Sequence, residues 1–301
     1  MTVDYEIYDV MIIGAGPAGM SAAVNARVRN KSTVLISRRF ASPSLAKAPS
    51  VHNYLGVEEL SGSELYSRFL EHARRAEARL IEADVTGIYD MGGHFAALTS
   101  AGDISARAVI VATGAVQSAS IPGESALLGA GVSYCATCDG PLYRGKRVVV
   151  LGYTPEAREE ANFLAEICSE VTYVDLQRGK AEKGVPLAES IREVVAKVAG
   201  IRGESFVTHV ELEGEAIPTD GVFVIRESIP AERLLDGLAV TEGAIVVDRE
   251  MATSVPGVFA AGDCTGRPWQ VAKAVGEGLV AGVSASRYVD RAMAAARAEG
   301  R

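Results

Sequence analysis

The chain has 301 residues, 48% hydrophobic but only 6% aromatic, with 31 glycines, a profile that suits one large or two ordinary α/β domains packed by Val, Ile and Ala. Its net charge of −8 argues against a general nucleic-acid surface, and no apolar run approaches a membrane span. The acidic start, MTVDYEIYDV, lacks an apolar secretory core, so a soluble cytoplasmic protein is expected.

Tyr8 to Ile13 reads as a buried parallel strand and Pro17 to Arg29 as a helix. Gly14, Gly16 and Gly19 form G-x-G-x-x-G between them. The first glycine permits a tight turn, the second lets backbone approach a pyrophosphate, and the third lets helix and strand pack closely. The helix that opens at Pro17 and Ala18 turns its positive dipole end toward the phosphates. The next strand, STVLIS, ends at Ser37, where an acidic residue often holds a ribose; Arg38 and Arg39 follow. Ribose contacts therefore stay open, whereas the pyrophosphate site is intact. Farther on, strands end in Ala112-Thr113-Gly114 and in Gly262-Asp263.

Cys135 and Cys138 form a C-x-x-C pair, which in a reducing compartment is redox-active or metal-binding. Zinc needs two further ligands. No second cysteine pair exists, and His52, His72, His94 and His209 show no paired spacing, so no metal is expected. Two thiols so spaced can close and reopen a small disulfide ring, and the Asp139 carboxylate stands ready to shuttle a proton. Cys168 and Cys264 read as small packed residues.

The segment VVVLGYTPEAREEANFLAE, residues 148 to 166, repeats the strand, turn and helix, the helix expected from Pro155 to Glu166. Only Gly152 remains of the glycines; Tyr153 and Thr154 stand where small residues belong, and Ala157 keeps the helix-packing position. Glu156 falls where a phosphate would sit, and like charges at ~4 Å with an effective dielectric of ~20 repel by roughly 4 kcal/mol. Asp175 lies at the spacing of an NAD ribose acid, which equally suits a solvated aspartate ending a strand.

GVSYCATCDGPLYRGKRVVVLG resembles the redox segment of the low-molecular-weight thioredoxin reductases almost residue for residue, and the likeness spans nearly all of residues 8 to 290, thinning between 175 and 230. The resemblance implies an α/β fold of two Rossmann-like, three-layer ββα domains of the flavoprotein disulfide reductase type. An FAD domain would comprise residues 1–116 and 240–301, with a central redox domain, 117–239, inserted and able to move about the crossings. It implies FAD contacts at Gly14, Gly16, Pro17, Ala18, Gly19, Ser37, Arg38, Asn53, Val85, Ala112, Thr113, Gly114, Gly262, Asp263, Gln270 and Val271. In this family the G-D aspartate bonds the ribitol chain, Cys138 would face the flavin, and Cys135 would attack the substrate disulfide. A homodimer is implied as well.

The chain departs from the family in the second fingerprint, in Asp175-Leu176-Gln177 where a His-Arg-Arg run holds the NADPH 2′-phosphate, in VFVIRESIPAERLL, and in Trp269 where arginine is usual. An arginine clamp is the natural phosphate reader, and it is missing. This pattern resembles the ferredoxin-dependent flavin thioredoxin reductases, which share a G-D-C-T-G segment. The expected activity is reduction of thioredoxin by ferredoxin, or a similar one-electron donor, through FAD and the cysteine pair. An NAD(P)H-dependent reductase with an atypical nucleotide site, an oxygen-dependent dithiol oxidase and a flavin-loaded sensor remain as alternatives. Arg27, Arg29, Lys31, Arg38, Arg39 and Lys47 are either scattered surface charge or a guide for an acidic donor.

Overall fold

The computed structural model describes residues 7–40, 43–46, 48–115, 121–177, 184–226 and 234–298; Lys47 and the side chain of Cys138 lie outside the described residues. The chain divides into two compact units, residues 1–116 with 228–301, and residues 117–227.

The first unit is built on β1 (Ile7–Ile13), α1 (Pro17–Arg27), β2 (Thr33–Ser37), α2 (Pro43–Ala46), α3 (Gly62–Arg75), β3 (Arg79–Glu82), β4 (Val85–Asp90), β5 (Phe95–Thr99) and β6 (Ile104–Val111). Its sheet runs β3-β2-β1-β6-β5-β4. β1 lies between two parallel neighbours, and Val10, Met11 and Ile12 have no exposed surface. A strand buried on both faces reads as an unbroken apolar run. β6 serves two partners: its start pairs antiparallel with β5, and its end pairs parallel with a short strand, Val258–Ala260.

The closing helix, α6 (Val271–Ala298), packs on α1 through small residues. A Cβ on Gly278 would lie 2.1 Å from the Ala18 carbonyl, and one on Gly282 would lie 2.6 Å from that of Ala22. α3 is fixed at its start by a capping box: the Glu64 N–H donates to Ser61 Oγ, and the Glu64 carboxylate accepts the Ser61 N–H.

The second unit holds β7 (Val132–Ser133), α4 (Ala136–Asp139), β8 (Arg147–Gly152), α5 (Ala157–Ile167), β9 (Glu170–Asp175), β10 (Ile191–Val194), β11 (Val198–Gly203), β12 (Val207–Leu212), β13 (Glu215–Pro218) and β14 (Gly221–Ile225). A five-stranded sheet, β10-β9-β8-β14-β7, is parallel throughout. Side chains alternate along β8. Val148 and Val150 pack with Ala157, Ala161 and Leu164 of α5. Val149 and Leu151 pack with Val210, Leu212 and Ile217 of the antiparallel β11-β12-β13 sheet. The result is a three-layer α/β/β unit.

The two helix predictions shift slightly. α1 stops at Arg27, because Asn30 turns the chain at φ +56°. α5 opens at Ala157 after a turn through Pro155. The chain re-enters the first unit at residue 228 where the sequence suggested 240. Leu234, Leu235 and Leu238 are buried with Met11, Val109 and Val258 in the first unit's core, which draws the boundary forward. Among the described residues no helix is long and apolar enough to cross a membrane.

Candidate active site

The β1–α1 turn is shaped around a space. Gly14 has φ +108°, and a Cβ there would lie 2.3 Å from the Ala112 carbonyl oxygen. A Cβ on Gly19 would strike the Gly14 carbonyl at 1.9 Å. Both glycines are therefore demanded by backbone packed on backbone. Gly16 differs, since a Cβ there would meet nothing within 4 Å. It caps α1 with extended backbone and no side-chain partner, Pro17 follows, and no acidic residue stands in the first turn. The leading N–H groups of α1 thus face an open cradle, the arrangement that receives a diphosphate.

Two other segments gather around this turn. Gly114 has φ +76°, and Gly262 has φ +89° with its Cβ position 2.8 Å from Ala18 Cβ. Asp263 follows, half-buried, its carboxyl held above the usual range first by burial. Asn53 Nδ2 donates to Gln270 Oε1 at 2.7 Å, joining residues 217 apart just before α6 opens at Val271. Ser37 donates to the Arg39 carbonyl at 2.8 Å. Arg38 pairs with Asp84 at 2.5 Å. The Val85 side chain is buried in the core, at the start of the β4–β5 ladder opposite Thr99. An open glycine cradle at a helix start, with a half-buried carboxylate beside it, suits the diphosphate and ribityl hydroxyls of FAD.

The basic residues of this unit largely have partners. Arg27 pairs with Glu77 and Lys31 with Asp290, as Arg38 does with Asp84.

Cys135, in the second unit, is disulfide-bonded and 3% exposed, whereas Cys168 of the same unit and Cys264 of the first are free. The backbone carries Cys135 into the short α4 turn that contains Cys138. The Cys135 N–H donates to Ser133 Oγ at 3.1 Å, and the Ser133 hydroxyl donates to Asp139 Oδ2 at 2.7 Å. Asp139 is thereby tied to the redox cysteine through one hydroxyl. The Ala136 N–H, at the start of α4, donates to Glu160 Oε2 of α5 at 3.1 Å. Cys264 is a different thiol. Burial pushes it up to about 12, which keeps it protonated and unreactive.

The profile of the pyridine nucleotide-disulphide oxidoreductase family matches residues 8–278. A thioredoxin reductase of Bacillus subtilis is 34% identical, covering 95% of this chain and 96% of its own. The chain belongs to this family, in its thioredoxin reductase branch. Among solved structures, a ferredoxin-flavin thioredoxin reductase from Clostridium acetobutylicum is similar at 42% identity with a TM-score of 0.89, covering 95% of this chain and 98% of that one. A thioredoxin reductase from Gloeobacter violaceus is 35% identical, covers 94% of each chain and has a TM-score of 0.79. As a thioredoxin reductase the protein is an FAD-dependent oxidoreductase with thioredoxin as its substrate.

In this thioredoxin reductase the second turn, between β8 and α5, is filled. A Cβ on Gly152 would lie 2.3 Å from the Tyr173 hydroxyl, so the glycine makes room for a neighbouring side chain. Thr154 is 2% exposed and Gln177 is 5% exposed. Gln177 Nε2 donates to the Thr154 carbonyl at 3.2 Å and to the Tyr173 hydroxyl at 3.3 Å. Arg158 lies over the Tyr173 ring at 5.3 Å and pairs with Glu193. Arg226 lies over the Tyr153 ring at 4.9 Å and forms a two-pronged pair with Glu124, both contacts at 2.7 Å. Glu124 also accepts from the Tyr134 hydroxyl and the Ile121 N–H. The sequence pointed to a negative obstacle at Glu156. The structure adds a set of buried side chains around the turn, whose two arginines are each paired with a glutamate. Neither pair was foreseen, because the partners lie 102 and 35 residues apart.

Proposed function

We propose that this thioredoxin reductase takes its electrons from a one-electron carrier protein, of which reduced ferredoxin is the fitting example, and not from NADPH or NADH. The closed second turn carries this reading. Tyr173, Gln177 and Thr154 are buried around that turn, and on the β-layer side of the sheet Arg226, paired with Glu124, lies over Tyr153. We read this filling as leaving no room for a dinucleotide. The likeness to the Clostridium protein named a ferredoxin-flavin thioredoxin reductase supports the same donor. FAD would rest on the cradle of Gly14, Gly16 and Gly19, with Asp263 toward the ribityl chain and Asn53, Gln270 and the Val271 amide toward the ring.

When bound, FAD can accept electrons singly and pass them on as a pair. Two electrons and two protons open the Cys135 disulfide to two thiols. Asp139, fixed by Ser133, holds a proton for the sulfur that is released and takes one back when the thiolate is next needed. The Cys135 thiolate then attacks a thioredoxin disulfide, forming a mixed disulfide and expelling one thioredoxin thiolate. Attack by Cys138 releases the second and restores the oxidised pair. Cys135 is 3% exposed, so the redox segment must open before a protein disulfide reaches it. A cytoplasmic homodimer is the form in which we expect the enzyme to work.

Anaerobic titration with reduced ferredoxin, followed by oxidised thioredoxin, tests this reading. The flavin should bleach and the thioredoxin disulfide should be reduced, whereas Cys135→Ser should keep the bleaching and lose the thioredoxin step. Peroxide formation with a small dithiol, without thioredoxin reduction, would instead make the protein a dithiol oxidase.

A further inference from the structure

On the flavin-binding unit, Lys273 and Glu277 sit one turn apart on α6 with Nζ and Oε2 3.1 Å apart, both largely buried. Lys273 Nζ donates to the carbonyls of Gly262 at 2.8 Å and Gly266 at 2.9 Å, and to Thr265 Oγ1 at 2.9 Å. Glu277 Oε2 accepts the Gly262 N–H at 2.9 Å and the Thr265 hydroxyl at 2.8 Å. The loop they hold begins and ends on glycines at φ +89° and +103°. Such a loop has no ladder to satisfy its inward-facing polar groups. The α6 pair supplies the partners, and Asp263 is the loop's side chain beside the α1 cradle.

We propose that Lys273 and Glu277 are positioning residues for the flavin: they fix residues 262–266 so that Asp263 is presented to the cofactor, and their opposite charges act on it in opposite directions. The inference rests on Asp263 being a flavin ligand. Among the described residues the charged groups acting on Asp263 both come from α6. Burial raises its carboxyl, Lys273 draws it down, and Glu277 pushes it up. The adjacent Cys264 thiol, pushed up to about 12, stays neutral. If FAD prefers ionised Asp263, its affinity falls as pH drops through the raised carboxyl pKa of the flavin-free protein.

The test is the FAD dissociation constant of the full chain, followed by flavin fluorescence from neutral to mildly acidic pH. Lys273→Met should weaken binding at least about tenfold at neutral pH and move the acid loss of flavin to higher pH. Glu277→Gln, which keeps a hydrogen-bond acceptor, should move that loss to lower pH. Shifts in the same direction, or none, in variants that still bind FAD would overturn the inference, because a purely structural role predicts no change of sign. If Lys273→Met fails to fold, the Glu277→Gln shift alone decides. Asp263→Asn separates the premise: flavin affinity and pH profile unchanged in that variant would remove Asp263 itself from the site.

Discussion

The two strand–turn–helix segments of this protein share a topology and differ in what they leave empty. At β1–α1, Gly14 and Gly19 are pressed against backbone, and Gly16 faces open space. At β8–α5, the surviving Gly152 is pressed against a tyrosine side chain, and Thr154 is sealed from solvent. A Rossmann turn binds a diphosphate only if the chain keeps a hole at the helix start. In the second unit the side chains of Tyr173 and Gln177 pack around the corresponding turn, and on the reading proposed above they take the room a diphosphate would need.

The largest effect that could break this contrast lies in the buried pair behind Tyr153. Arg226→Met takes the counter-charge from buried Glu124 and leaves it only the Tyr134 hydroxyl and the Ile121 N–H, which should cost about 3–5 kcal/mol. Adding Glu124→Leu should recover most of it, since replacing both charges by apolar groups is often neutral. The unfolding transition of the second unit in urea measures both. A single variant as stable as the parent would mean the second turn is not a tightly built plug.

The glycines sharpen the comparison. Gly19→Ala forces a Cβ to within 1.9 Å of a backbone oxygen. Overpacking of about 1–3 kcal/mol should appear there as a loss of FAD affinity. Gly152→Ala meets the Tyr173 hydroxyl at 2.3 Å; it should destabilise the second unit by about 1–3 kcal/mol and leave FAD affinity unchanged. Tyr173→Leu should relieve part of that cost. Equal flavin loss in both glycine variants would erase the distinction between the turns.

The smallest effect concerns the acidic first turn of α5, where Glu160 receives the Ala136 N–H of the redox turn. Glu160→Ala should release about 1 kcal/mol of local order, seen as roughly fivefold faster exchange of the Ala136 amide with solvent. No change would mean that α5 and the redox turn are held by packing alone.

Much of the first site was legible because its signals are local: three glycines between one strand and one helix, all within Ile7 to Arg27 and read from the steric needs of one turn. Family resemblance put Asn53 and Gln270 each beside the flavin, but their hydrogen bond across 217 residues was not foreseen. The second turn was read correctly as lacking glycines, but its filling was not readable. Tyr173, Gln177 and Arg226 reach Gly152, Thr154 and Tyr153 through the register of β8, β9 and β14, which no single segment encodes. The domain return at 228 was missed for a similar reason. Leu234, Leu235 and Leu238 declare their unit only by the core they join.

The central claim is that the β8–α5 turn admits no pyridine nucleotide. Its most direct test is to mix the oxidised holoprotein anaerobically with NADPH, and separately with NADH, while following flavin absorbance. The account predicts that the flavin stays oxidised with either nucleotide and bleaches promptly with reduced ferredoxin. Rapid bleaching by micromolar NADPH or NADH would contradict it.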